Sequence, residues 1–204
     1  MIPSPAFHAG PTPDAAEEVL RFWFGPEDVD RPEWFRKSAA FDAEVDLRFG
    51  LEVEAALRGR LDAWRRTLDG SLALVILLDQ FTRNIRRGTP EAFAGDAQAL
   101  AIARELVGQG HDIGLPPLRR SFLYLPFEHA EDRAAQEESV RLYTALAAEA
   151  VGPQARTLAE TLDYAVRHRE IVARFGRFPH RNEVLGRAST AEEIEFLKQP
   201  GSRF

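Results

Sequence analysis

The chain has 204 residues, 45% hydrophobic and 28% charged, with no cysteine and a formal net charge of -6. These values describe an ordinary globular chain long enough to bury a substantial core. They exclude disulfide frameworks, thiolate zinc sites, iron–sulfur clusters and thiol nucleophiles, so the cytosol is the expected compartment. The acidic balance, with a sequence pI near 5.5, makes nucleic acid an unlikely partner.

The opening MIPSPAFHAGPTP lacks the basic and apolar regions of a secretion signal. Residues 1–12 read as a flexible leader ahead of a single domain over 13–204. Thr12-Pro13-Asp14 is a cap followed by proline, Val19, Leu20 and Trp23 supply an apolar face, and Gly25-Pro26 ends the run, which predicts a helix over 13–24. A turn with Trp34 and Phe35 follows. Phe41, Val45 and Phe49, four residues apart, predict a second helix over 39–58. Asp69 is the expected cap of a third, buried helix running through LALVILLDQFTRNI. Its longest apolar run, Leu72 to Leu78, is too short to span a bilayer.

Thr89-Pro90-Glu91 repeats the cap-and-proline signal and predicts a helix to about Val107. HDIGLPP reads as a loop. Arg119 to Leu125 reads as a short helix broken by Pro126, with an amphipathic helix resuming at Glu131 and reaching about Ala150. A long helix from Pro153 ends at Gly176, and Thr190 to Glu193 is a capping box for a last short helix. No stretch shows strand alternation, so the expected fold is all-α, with about eight or nine helices.

Three polar constellations carry the functional reading. In DQFTRN, Asp79 and Arg83 are four apart and can pair on one helix face, with Gln80 and Asn84 on the adjoining ridge; the plain alternative is a salt bridge and C-terminal cap. In PFEHAEDRAAQEES, Glu128 and His129 fall at a helix junction where a histidine beside carboxylates can act as base or metal ligand; Glu131 and Asp132 equally suit a helix start. The third is His168 with RFGRFPHRN: Arg174, Arg177, His180, Arg181 and Asn182 offer more donors than a helix end needs. From Arg167 to Arg187 six arginines face two glutamates, a local excess suited to a small anion. His168 shares its helix face with apolar neighbours and should point inward, with a pKa below the ordinary value of about 6.5. HExxH, GxSxG, phosphate-binding and dinucleotide-binding loops are all missing. The His111-Asp112 dipeptide lacks the second histidine a phosphohydrolase would need.

The segments VLRFWFG (19–25), LVILLDQFTRNIRRGTPEAFAGD (74–96), FLYLPFEHAEDRAAQEES (122–139) and HREIVARFGRFPHRNEVLGRAST (168–190) resemble a bacterial group, domain-of-unknown-function family 924, across nearly the whole chain. Thr82 stands where that family usually has proline, and Ala130 where serine is common. The resemblance implies antiparallel stacked helices in a tetratricopeptide-like arrangement, and no established activity.

The leading expectation is a cytosolic binding domain whose polar, net-basic pocket takes a small anionic ligand or an acidic peptide end. Its binding residues would be Asp79, Arg83, Asn84, Arg174, Arg177, His180, Arg181 and Asn182. The alternatives are a hydrolase using Glu128, His129 and His168 in the same pocket, and a pure protein–protein scaffold. Neither cofactor nor metal is expected, because the histidine spacings match no familiar site.

Overall fold

The computed structural model describes residues 11–26, 28, 31–34 and 36–203, and among them there are helices and turns but no strand. The α-helical segments are α1 (Asp14–Phe24), α2 (Ala39–Leu57), α3 (Leu68–Val75), α4 (Thr82–Ile85), α5 (Asp96–Gly108), α6 (Pro117–His129), α7 (Arg133–Glu149), α8 (Ala155–Phe175) and α9 (Ala191–Phe196). A π-helical segment, Ile76–Phe81, joins α3 to α4 into one rod. The all-α class read from the sequence is the observed one. Leader residues 1–10 and Phe35 lie outside the described residues.

The core follows from the aromatic spacing. Phe22 of α1 stacks on Phe41 of α2 at 5.6 Å and meets Phe49 at 5.0 Å and Phe81 at 5.9 Å. Trp23 stands edge-on to Phe122 of α6 at 5.7 Å. Such pairs contribute about 0.5–1.5 kcal/mol each beyond burial, and they hold α1, α2 and α6 around the α3 rod. Leu72 to Leu78 are at most 2% exposed, which is why that run carries no helical periodicity: every face is covered.

Several element boundaries differ from those expected. Thr67, not Asp69, caps α3, its hydroxyl accepting from the Gly70 N–H at 3.1 Å. Thr89-Pro90 opens only a 3-10 turn, Pro90–Phe93, and α5 starts separately at Asp96. HDIGLPP contains a 3-10 turn, Asp112–Gly114, held by the Tyr124 hydroxyl donating to Asp112 at 2.6 Å. Pro126 does not break its helix; α6 runs through it to His129. An interior proline costs about 3 kcal/mol, whereas burying Phe122, Leu123 and Phe127, none above 4% exposed, contributes roughly 1.5–3 kcal/mol each. Tertiary burial therefore outweighs the local penalty. Asp132 rather than Glu131 starts α7, accepting from the Ala135 N–H at 2.9 Å. Helix α8 begins at Ala155, after a 3-10 turn over Gly152–Gln154, and ends as expected at left-handed Gly176, φ +71°. The capping box of Thr190 and Glu193 on α9 is present.

The π segment sets the site. Thr82 sends both its backbone N–H and, at 2.8 Å, its hydroxyl to the Leu77 carbonyl five residues back. One residue is thereby added to the turn that carries Asp79 and Gln80, the kind of local widening that recurs at functional sites. Gly95 lies directly against this turn: a Cβ there would meet the Leu78 carbonyl oxygen at 2.2 Å. Only glycine admits that approach, and the approach delivers Asp96 to Arg83. Gly95→Ala is expected to lower stability by about 1–3 kcal/mol through overpacking, read as an earlier urea midpoint at unchanged slope. An unchanged midpoint would mean the two backbones can part freely.

Candidate functional site

Asp79 is the centre of a buried charge network. It is 0% exposed, and its Oδ1 lies 3.0 Å from Arg83 Nη1 and 2.7 Å from His129 Nδ1, while Gln80 donates to Oδ2. The expected four-residue pairing of Asp79 with Arg83 is thus formed. Arg83 also donates to the Asp79 carbonyl at 2.7 Å and, through both Nη atoms, to Asp96 at 2.8 and 3.0 Å. Burial pushes the Asp79 carboxyl up, but Arg83 and then His129 hold it well below the usual carboxylate range. It is an anion at neutral pH.

His129 ends α6 with its ring set by that anion. Nδ1 points at Asp79, and Nε2 has no hydrogen-bond acceptor or donor among the described residues, with 16% of the side chain open to solvent. Burial, opposed by Asp79 and assisted by Arg83, lowers its pKa, so the ring is neutral near pH 7 with Nδ1–H facing the carboxylate.

One residue back, Glu128 turns into the interior. Its Oε1 lies 3.1 Å from Nδ1 of His168, which is itself 2.8 Å from the Tyr164 carbonyl. Glu128 Oε2 is buried and unpartnered among the described residues. Burial, reinforced by the Asp79 charge, raises the Glu128 pKa to about 8, so this carboxyl is a neutral acid at pH 7. His168 points inward as its spacing predicts and is 4% exposed. Burial, then His129, depress its pKa to about 3. The two imidazoles sit 6.3 Å apart, centroid to centroid.

The 174–182 segment divides. Arg181 enters the cluster, donating through Nη1 to the His129 carbonyl at 3.0 Å and standing 3.6 Å from Asp96. His180 lies beside Phe178 at 5.7 Å between centroids, and burial followed by Arg181 lowers its pKa to about 4. The other donors turn elsewhere. Arg174 pairs with Glu192 at 2.8 Å and Arg177 grips Glu193 at 2.7 and 2.9 Å, so both fasten α9 to the end of α8. Asn182 bonds Ser189 and Arg187. Asn84 donates to Asp42 at 2.7 Å, across on α2.

Two contributors were not singled out from the sequence. Asp96 follows a glycine in AFAGD with nothing local to mark it, and Arg187 forks onto Glu131 at 2.6 and 2.8 Å from 56 residues away. Glu131 in turn accepts the Phe178 N–H at 2.8 Å, fixing the loop that delivers Arg181. Two surface hollows lie elsewhere and include none of the nominated residues: about 220 Å³ lined by Arg104, Val107, Phe127 and Glu138, and about 460 Å³ along α8 beside Tyr164 and Arg167. Among the described residues no group of three or more His, Asp or Glu is placed to hold a metal ion, and no helix is long and apolar enough to cross a membrane.

A helical protein with a buried carboxylate–histidine–arginine cluster at its helix ends is the class so defined. The model of the family described as "Bacterial protein of unknown function (DUF924)" matches residues 19–201, and the chain belongs to that family. Among solved structures it is similar to a protein of unknown function, ATU0120, from Agrobacterium tumefaciens. The identity is 42% and the TM-score 0.79, over 91% of this chain and 97% of the other. Comparison with curated proteins finds no match.

The two opposite shifts predict a two-sided pH profile. His168 takes up its proton near 6.5 when unfolded and near 3 when folded, so stability falls as pH drops below about 6.5 toward 3. Glu128 keeps its proton to about pH 8 folded but only to about 4.5 unfolded, so its contribution is lost as pH rises from about 4.5 through 8. Glu128→Gln, neutral throughout, should gain on the parent protein steadily between pH 5 and 8, and His168→Gln should flatten the acid limb. Denaturant melts across pH 3–9 read both; parallel profiles for parent and Glu128→Gln would mean that Glu128 ionises normally in the fold.

Proposed function

We propose that the chain is a cytosolic enzyme, a hydrolase of small molecules, with the Asp79–His129 and Glu128–His168 pairs as its acid–base machinery. The observation that carries this reading is the set of His129: its Nδ1 faces a fully buried carboxylate and its Nε2 is the partly exposed edge, the orientation that makes an imidazole a general base. Glu128 complements it. Two carboxyls in one cluster, one held ionised and one held protonated, divide the acid and base roles between them. His129 Nε2 would take a proton from water as the oxygen bonds to the electrophilic centre. Glu128 would give its proton to the departing group as that bond breaks. Transfer of the proton from the imidazolium to the carboxylate restores the starting state.

The net-basic anion pocket draws less support from the geometry, because Arg83, Arg174 and Arg177 already face carboxylates of the chain itself. The scaffold reading rests only on the resemblance to tetratricopeptide-like stacking and on fold-level analogy.

A panel of chromogenic esters, amides and phosphomonoesters tests the proposal. Turnover of one class is expected, falling by about 10²–10⁴-fold in His129→Asn or Glu128→Gln. Because folded Glu128 keeps at pH 7 a proton that the unfolded chain has lost, the glutamine variant should melt no lower than the parent there while losing activity. An inactive parent across the panel, or a fully active Glu128→Gln, would remove the hydrolase reading.

A further inference from the structure

Arg181 has half of its hydrogen-bonding edge unspent. It is 6% exposed and its guanidinium lies against two rings, 4.8 Å from the Phe93 centroid and 4.5 Å from that of Phe178. Nη1 serves the His129 carbonyl and faces Asp96 at 3.6 Å. Nε is buried without an acceptor among the described residues, and no acceptor there meets Nη2 either. A buried donor left unmade costs roughly 1–3 kcal/mol, more when charged. The two ring contacts and the Nη1 bond to the His129 carbonyl hold the guanidinium in place, so the Nε–Nη2 edge is left as a two-pronged fork. No other nominated arginine is in this position: Arg83 spends its fork on Asp96 and Arg177 on Glu193.

We infer that the Nε–Nη2 edge of Arg181 is a recognition subsite for a carboxylate, and that the substrate of the site is a carboxylate-bearing small molecule. The first part stands on the Arg181 geometry; only the word substrate rests on the acid–base reading. Charge selects the carboxylate over a phosphate dianion. Around Arg181 the cations Arg83, Arg181 and Arg187 are matched by Asp79, Asp96 and Glu131, so the cluster is already balanced. An added carboxylate takes the two hydrogen bonds of the fork and leaves the cluster at -1, whereas a phosphate dianion would leave it at -2 beside Asp96 and Asp79. A planar carboxylate also matches the two parallel donors.

Acetate and inorganic phosphate serve as probes, titrated at constant ionic strength and pH 7 with the full chain. The readouts are the ¹⁵Nε–¹H resonance of Arg181 in the parent protein and the thermal shift of variants. Expected are a saturable acetate shift of the Arg181 resonance, weaker phosphate binding, and at least about tenfold weaker acetate binding in Arg181→Lys, which keeps the charge and loses the fork. The resonance readout on the parent stands even where Arg181→Lys fails to fold. An Arg181 resonance indifferent to both anions, or one that phosphate saturates first, overturns the carboxylate subsite. Acetate binding by a parent protein that hydrolyses nothing upholds the subsite and leaves the hydrolase proposal to fall alone.

Discussion

Burial of the Asp79 charge is the constraint to which the rest of the molecule answers. An ionised carboxylate taken wholly out of water costs several kcal/mol unless paired and hydrogen-bonded, and each neighbouring element supplies part of the compensation. The widened π turn presents Asp79 and Arg83 on one face. Gly95 lets α5 approach closely enough for Asp96 to hold the far side of Arg83. The end of α6 brings the His129 ring to Oδ1, and the 178–181 turn brings Arg181 to the His129 carbonyl. Removing one partner of such a pair leaves the other buried and alone, at a cost of about 3–5 kcal/mol. That sum is comparable to a large share of a domain's whole stability.

How much of this was legible in the chain depended on distance along it. Caps, prolines and terminal glycines are local signals, and they located α1, α2, α8 and α9 to within a residue or two. The Asp79–Arg83 pair and the inward turn of His168 were legible for the same reason, since four-residue spacing is a property of the helix alone. Errors arose where a local signal competed with another or with packing. Thr67 and Asp69 were both able to cap α3, and Pro126 was read as a break because the burial of its neighbours cannot be counted from sequence.

The allocation of the arginines was the least legible part. Arg174, Arg177, Arg181 and Arg187 crowd into fourteen positions, and nothing local separates the one that enters the cluster from those that clamp α9 or Glu131. Their acidic partners stand 16 to 85 residues away in sequence. A surplus of donors in the sequence became, in the fold, mostly a set of internal ties. The basic excess read from residues 167–187 therefore does not survive as a basic surface; it is cancelled by Asp96, Glu131, Glu192 and Glu193, all four of which lie outside that stretch.

Glu128 and Asp79 show why the cluster is more than a buried ion pair. Both carboxyls are withdrawn from water to a similar degree. What separates them is the company each keeps: Asp79 has Arg83 against it, while Glu128 has a neutral imidazole and, nearby, the negative charge of Asp79 itself. Burial does most to keep Glu128 protonated, and the ionised Asp79 beside it adds to that effect. A network needed only to tie helices together would gain nothing from this arrangement, because an uncharged amide at position 128 would meet His168 equally well and avoid the raised pKa altogether. A proton donor held beside a fixed anion and a mostly buried imidazole is a costly way to build a core, and that cost is what favours the proposed acid–base reading over a purely structural one.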